Sequence, residues 1–165
     1  MKSWRPTPKN LCISAAVAAL YALLTLALEP LSYGSVQCRL SEALTIMPLF
    51  LAESVPGLFV GCFLANFLAP AVVLPDVIFG SLATLAAAIL TYKLRGRSVF
   101  VAMLPPVLVN AVAVGILVHV YYAPEVPLAL CMLQVGAGQA LAVYTGGGAL
   151  YAALRKTNIG NMPRV

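Results

Sequence analysis

Leu11-Cys12-Ile13-Ser14-Ala15-Ala16-Val17-Ala18-Ala19-Leu20-Tyr21-Ala22-Leu23-Leu24-Thr25-Leu26-Ala27-Leu28 contains no charged side chain and ends at Glu29-Pro30. A helix crosses the hydrocarbon core of a bilayer in about 20 residues, with a range of about 17 to 25. Lys2, Arg5 and Lys9 precede the run, as in the basic start of a signal peptide. A cleaved signal has a shorter apolar core and small residues at its cleavage site. This run is long enough to span, so the expectation is a retained first transmembrane helix.

Five more apolar segments follow, at about 37–51, 56–68, 75–92, 98–120 and 127–154. Prolines 30, 56, 70, 75, 124 and 127 mark most of the junctions, where a residue without an amide hydrogen closes or opens a helix. The 165 residues are 62% hydrophobic and 9% charged, against about a quarter charged in a soluble domain. So few charges cannot cover a water-facing surface. The expected fold class is an all-α integral membrane protein with six transmembrane helices. Residues 11–154 form the membrane domain, between an N-terminal segment at 1–10 and a C-terminal tail at 155–165.

The net charge of +5 is concentrated. Lys2, Arg5 and Lys9 precede the first span, Lys93, Arg95 and Arg97 separate the fourth and fifth, and Arg155, Lys156 and Arg164 follow the sixth. With six spans all three clusters fall on one side, which the positive-inside rule makes the cytoplasm. Both termini are then cytoplasmic and the location is the cell membrane. A five-span reading puts the last cluster outside. The basic residues report topology, so no nucleic-acid partner is expected; the partner they imply is the lipid bilayer.

Small residues four apart let helix backbones approach closely in lipid. Gly57, Gly61 and Ala65 form one such stripe, Gly138, Ala142 and Gly146 a second, and Ala15 and Ala19 a third. Each reads as a packing face. Cys12, Cys38, Cys62 and Cys131 lack metal-ligand spacing and read as small apolar residues. Cys38 and Cys131 both lie toward the outer face, which leaves a disulfide between them open.

Ionisable side chains within spans are costly and are functional candidates by default. Arg39 is the tenth basic residue and lies outside the three clusters. It is three residues from Glu42, so the two share a helix face. That spacing fits an intrahelical ion pair, or the polar wall of a pocket open to the outside. Asn66, Asn110, Gln134 and Gln139 lie in later spans, and a buried amide must find hydrogen bonds on another helix or on a ligand. Asp76 after Pro75 fits a helix start as well as a site. His119 reads as an interface residue.

Several chemistries have no residues to carry them. There is no GxxxxGK[ST] loop for ATP, no metal-binding cluster, and only one histidine for a Ser/His/Asp set. No enzyme and no metal are expected.

Three segments carry a family resemblance. Arg39-Leu40-Ser41-Glu42-Ala43-Leu44-Thr45-Ile46-Met47-Pro48 resembles the R-[IV]-S-E-A-L-x-x-[LM]-P signature of the QueT family. Gly57-Leu58-Phe59-Val60-Gly61-Cys62-Phe63-Leu64-Ala65-Asn66 resembles that family's next helix, and Asp76-Val77-Ile78-Phe79-Gly80-Ser81-Leu82-Ala83-Thr84-Leu85 resembles the opening of its fourth. The likeness is collinear from about residue 10 to 155.

QueT proteins are substrate-binding S-components of energy-coupling factor (ECF) transporters. The resemblance implies import of a queuosine precursor, a 7-deazaguanine base. It also implies a transmembrane scaffold protein and two ATPase subunits as partners, so that ATP is used outside this chain and no cofactor is held within it. Ala15 and Ala19 match the alanine pattern with which S-components dock on the scaffold. Glu42 is carried over through the family motif and is expected to accept from the adjacent N–H donors of the base. Arg39 and Asp76 are expected beside it, with Asn66 and Asn110 adding hydrogen bonds. An aromatic such as Tyr33, Phe63 or Phe79 covers the ring, and residues 29–35 form a lid. The same architecture also suits another vitamin-like ligand. A stand-alone proton-coupled transporter using Glu42 or Asp76, or a purely structural membrane subunit, are the readings from other classes.

Overall fold

The structure is a computed structural model, and residues 7–29, 39–70 and 72–157 are described. Among them every regular element is helical. Six helices follow in chain order: α1 Pro8–Ala27, α2 Leu40–Leu49, α3 Ser54–Leu68, α4 Asp76–Lys93, α5 Val99–Tyr122 and α6 Leu128–Arg155. Four of them, α1, α4, α5 and α6, are long and apolar enough to cross a membrane, while α2 and α3 are shorter. The expected segments are therefore present at the expected places, two of them in short form.

Local chemistry sets the ends. Thr7 caps α1 by accepting from the Asn10 amide at 3.3 Å, and Pro8 opens the helix, where its missing N–H costs nothing. In α5 the winding breaks briefly at Met103 before Pro105-Pro106. Helix α2 is wound as a 3₁₀ helix over all ten residues. Pro48 lies within it and removes one amide donor. At about 2 Å of rise per residue this winding stretches the segment to about 20 Å. Its residues from Ser41 through Ile46 are buried on every side, so α2 is the centre of the bundle.

The contacts define two ends. At one end Ser14 of α1 donates to the Glu53 carbonyl at 2.7 Å. The Phe50 and Tyr151 rings meet there at 5.4 Å, and Tyr144 donates to the Phe100 carbonyl at 3.1 Å. This end therefore gathers the start of α1, the α2–α3 turn, the start of α5 and the end of α6. At the opposite end, Arg39, Asp76 and Tyr122 bring together the start of α2, the start of α4 and the end of α5.

Two glycine contacts explain how closely the helices approach. A Cβ on Gly57 would lie 2.6 Å from the Ser14 carbonyl oxygen, and one on Gly61 would lie 2.8 Å from that of Ala18. The Gly57/Gly61 stripe is thus the seam between α3 and α1. Gly146 does the same for α6 against Ala43 of α2, at 2.9 Å. Cys131 is a buried free thiol, and Cys38 lies outside the described residues. Leu23, Phe67, Phe100 and Leu133 point outward, each about two thirds exposed, and form the apolar belt that lipid covers.

Candidate functional site

Glu42 is 1% exposed, on the inner face of α2. The side chains that meet it come from three other helices. Tyr21 of α1 donates its hydroxyl to Oε1 in a short hydrogen bond. Gln139 of α6 donates from Nε2 to Oε2 at 2.7 Å, and Asn110 of α5 reaches the same oxygen from Nδ2 at 3.5 Å. A buried carboxylate needs donors on both oxygens to offset its lost hydration, and here they converge from the whole bundle. Three residues per 3₁₀ turn set Arg39, Glu42 and Thr45 along one edge of α2. Thr45 turns its hydroxyl back to the Glu42 carbonyl at 2.6 Å. Beside them, Thr25 of α1 donates to Ser41 at 2.7 Å.

A second polar group lies against the first. Asp76 is 1% exposed and opens α4 on a π-wound turn, Asp76–Gly80. Its Oδ2 lies 3.9 Å from Arg39 Nη2 and accepts from the Tyr122 hydroxyl at 3.2 Å. Tyr122 Oη in turn accepts from the Val73 amide at 3.2 Å. Asn66 of α3 donates to the Asp76 backbone carbonyl at 3.3 Å. Gly80 packs closely here: a Cβ would sit 2.8 Å from Asp76 Oδ1 and 3.2 Å from Asn66 Nδ2, so those side-chain ends would have to shift. Thr84, one α-turn further on, donates to Cys62 Sγ at 3.3 Å.

Between the two groups is a cavity lined by Arg39, Glu42, Gly80, Thr84, Asn110, Val114, Val135 and Gln139. Its volume is about 10 Å³, room for about one water molecule. A larger guest enters only if these side chains exchange bonds among themselves for bonds to it. Among the described residues no cluster of three or more metal-ligating side chains occurs.

The QueT transporter family profile matches residues 11–156, nearly the whole chain, including every lining residue of the cavity and all of the helices but the first three residues of α1. The chain belongs to the QueT transporter family. Its long apolar helices make it a multi-pass membrane protein. It is 42% identical over 73 residues to the queuosine precursor transporter QueT of Lactococcus lactis subsp. cremoris (strain MG1363). The matched stretch covers 43% of this chain and 42% of that protein, so the likeness spans less than half the length of that relative. No solved structure matches the chain.

Against the QueT expectations, the structure brings Arg39, Glu42, Asn110, Asp76 and Asn66 into one buried region spanning α2 to α5. Phe63 and Phe79 are not part of it. Phe63 is 39% exposed and stacks on Phe67, and Phe79 is 58% exposed on the outer face of α4. Tyr33 and most of the expected lid lie outside the described residues. Ala15 and Ala19 are exposed on α1. His119 donates from Nδ1 to the Val126 carbonyl, 2.8 Å away, pinning the turn between α5 and α6.

Two residues of the site were not singled out in the sequence, and a third was named only as a buried amide in need of a partner. Tyr21 and Thr84 sit within apolar runs, where one hydroxyl gives no signal of its own. Gln139 was legible as an amide inside a span, but nothing in its spacing from Glu42 joins two residues 97 positions apart.

Proposed function

We propose that this chain is the substrate-binding S-component of an ECF-type importer in the cytoplasmic membrane, capturing a 7-deazaguanine base. The observation that carries the reading is the Glu42 carboxylate, buried at the centre of the bundle and met by Tyr21, Asn110 and Gln139. A deazaguanine presents a ring N–H and an exocyclic amine side by side, and one carboxylate accepts both. Asn110 and Gln139 offer a donor and an acceptor each for the remaining polar edge, and Val114 and Val135 supply apolar walls. The curated relative's name states a queuosine precursor as its cargo, which agrees with this donor and acceptor set.

Six membrane crossings with cytoplasmic termini follow from the same reading. Lys9 opens α1, Lys93, Arg95 and Arg97 close α4, and Arg155 and Lys156 close α6. Positive charge gathered at one end of a bundle marks the cytoplasmic side. The absence of a phosphate-binding loop from the sequence fits ATP hydrolysis by partner subunits, and the exposed Ala15 and Ala19 fit a docking face for a scaffold protein.

The test is calorimetric binding of aminomethyl-deazaguanine to the purified, detergent-solubilised chain, with guanine as control. Saturable binding of the first and much weaker binding of guanine is expected. A folded sample that binds no deazaguanine withdraws the substrate.

A further inference from the structure

We infer that Asp76 reads a positive charge on the ligand, so that the site prefers a deazaguanine with a cationic aminomethyl arm over neutral relatives of the same size. This rests on the substrate reading above and assigns the part of the ligand that reading leaves open.

In the polar region around the cavity, two buried side-chain oxygens accept no hydrogen bond, Asp76 Oδ1 and Asn110 Oδ1. Asp76 is 1% exposed and Asn110 4%, so bulk water does not serve them. A buried acceptor without a donor is unfavourable, and a pair of them favours a guest rich in N–H groups. The amide orientation of Asn110 is set by its Nδ2, which faces Glu42 Oε2 at 3.5 Å. Its Oδ1 is therefore the atom left for a ligand.

The two oxygens of Asp76 differ. Oδ2 is engaged twice, by the Tyr122 hydroxyl at 3.2 Å and by Arg39 Nη2 at 3.9 Å. Oδ1 takes neither, and it lies 2.8 Å from the point where a side chain on Gly80 would begin. Gly80 itself lines the cavity. Asp76 does not itself line the cavity, but Gly80, which does, carries no side chain to stand between the cavity and this carboxylate oxygen.

Charge points the same way. The region holds two carboxylates, Glu42 and Asp76, and one guanidinium, Arg39. In their ionised forms these leave one negative charge uncompensated in a low-dielectric interior, which an incoming cation offsets. A heterocycle held at Glu42 and Asn110 with an ammonium at Asp76 Oδ1 satisfies both orphan acceptors and balances the charge.

The experiment compares three ligands by calorimetry on the full chain: aminomethyl-, hydroxymethyl- and unsubstituted 7-deazaguanine. The hydroxymethyl form matches the aminomethyl in size but carries no charge. The wild type is expected to bind the aminomethyl form at least about tenfold more tightly than the hydroxymethyl, the scale of a charge-assisted over a neutral hydrogen bond. Asp76→Asn keeps the shape and the acceptor for Tyr122, and is expected to bring the two affinities within about threefold, with the unsubstituted base little changed. Equal wild-type affinities overturn the inference while leaving the substrate reading intact, whether or not the variant folds. A preference that survives in folded Asp76→Asn also overturns it. Failure of all three ligands removes the substrate reading and this inference with it.

Discussion

Gln139 Nε2 lies 2.7 Å from Glu42 Oε2 and ties the sixth helix to the second across 97 residues of sequence. Since Tyr21 holds the other oxygen and Asn110 reaches Oε2 as well, the carboxylate is a four-way junction between α1, α2, α5 and α6. Replacing Gln139 by Leu removes the shorter of the two amide bonds and leaves Oε2 with Asn110 alone at 3.5 Å. The expected loss is about 1 to 3 kcal/mol of stability, measured as a lower unfolding midpoint in detergent. An unchanged midpoint would mean that the junction does not support the bundle.

Glu42→Gln separates binding from folding. Gln139 is free to turn its amide and present its carbonyl to the new side chain, and Tyr21 still has an oxygen to donate to, so the fold is retained. The two charge-assisted bonds to the base are lost, at about 1.5 to 3 kcal/mol each. Affinity for the deazaguanine is expected to fall by about a hundredfold or more, read by calorimetry on a sample shown to be folded by size-exclusion chromatography.

The α1–α3 seam gives a packing prediction. Gly61→Val places carbon where the Ala18 carbonyl and the Tyr21 Cβ both lie within 2.8 Å. The contacts are backbone and the base of a side chain, and neither can swing away. Forcing the helices apart costs about 1 to 3 kcal/mol and displaces Tyr21 from Glu42. Thermal unfolding and ligand affinity are expected to fall together; a variant as stable as wild type would show that the seam has slack.

The docking proposal predicts a split between binding and uptake. Ala15→Trp with Ala19→Trp adds bulk on the exposed face of α1, away from Val17, Ala18 and Tyr21, which face inward. Ligand affinity of the isolated chain should change by no more than about twofold, since surface substitutions far from a site usually act weakly. Uptake of labelled ligand by cells that supply the scaffold and ATPases should drop steeply. Equal uptake by variant and wild type would place the docking face elsewhere.

The fold was legible because apolar runs, prolines and basic clusters are local signals. All six helices fall where hydropathy and proline placed them, within a few residues. The winding of α2 was not legible: nothing in Leu40–Leu49 except Pro48 departs from an ordinary helix, and the 3₁₀ form answers to tertiary packing. The cluster around Glu42 was legible in part. Arg39, Glu42, Asn66, Asp76 and Asn110 are polar residues where polarity is expensive, and that expense is visible in a single sequence. The aromatic choices had no such signal, because Phe63 and Phe79 are as natural facing lipid as facing a ligand, and the structure turns both outward.

Helix α3 has 15 residues, which at 1.5 Å of rise makes it about 22 Å long. The hydrocarbon core of a typical bilayer is about 30 Å. Along this flank Val60, Phe63, Leu64, Phe67 and Leu68 are exposed, so under the proposed six crossings the lipid beside them compresses to meet a wall shorter than itself. Each ångström of compression costs a fraction of a kcal/mol. The surrounding membrane is then an elastic medium under load on one side only. Thinner bilayers relieve that load, and so does any neighbour that replaces lipid along α3, which makes acyl-chain length a variable to control whenever this protein is reconstituted.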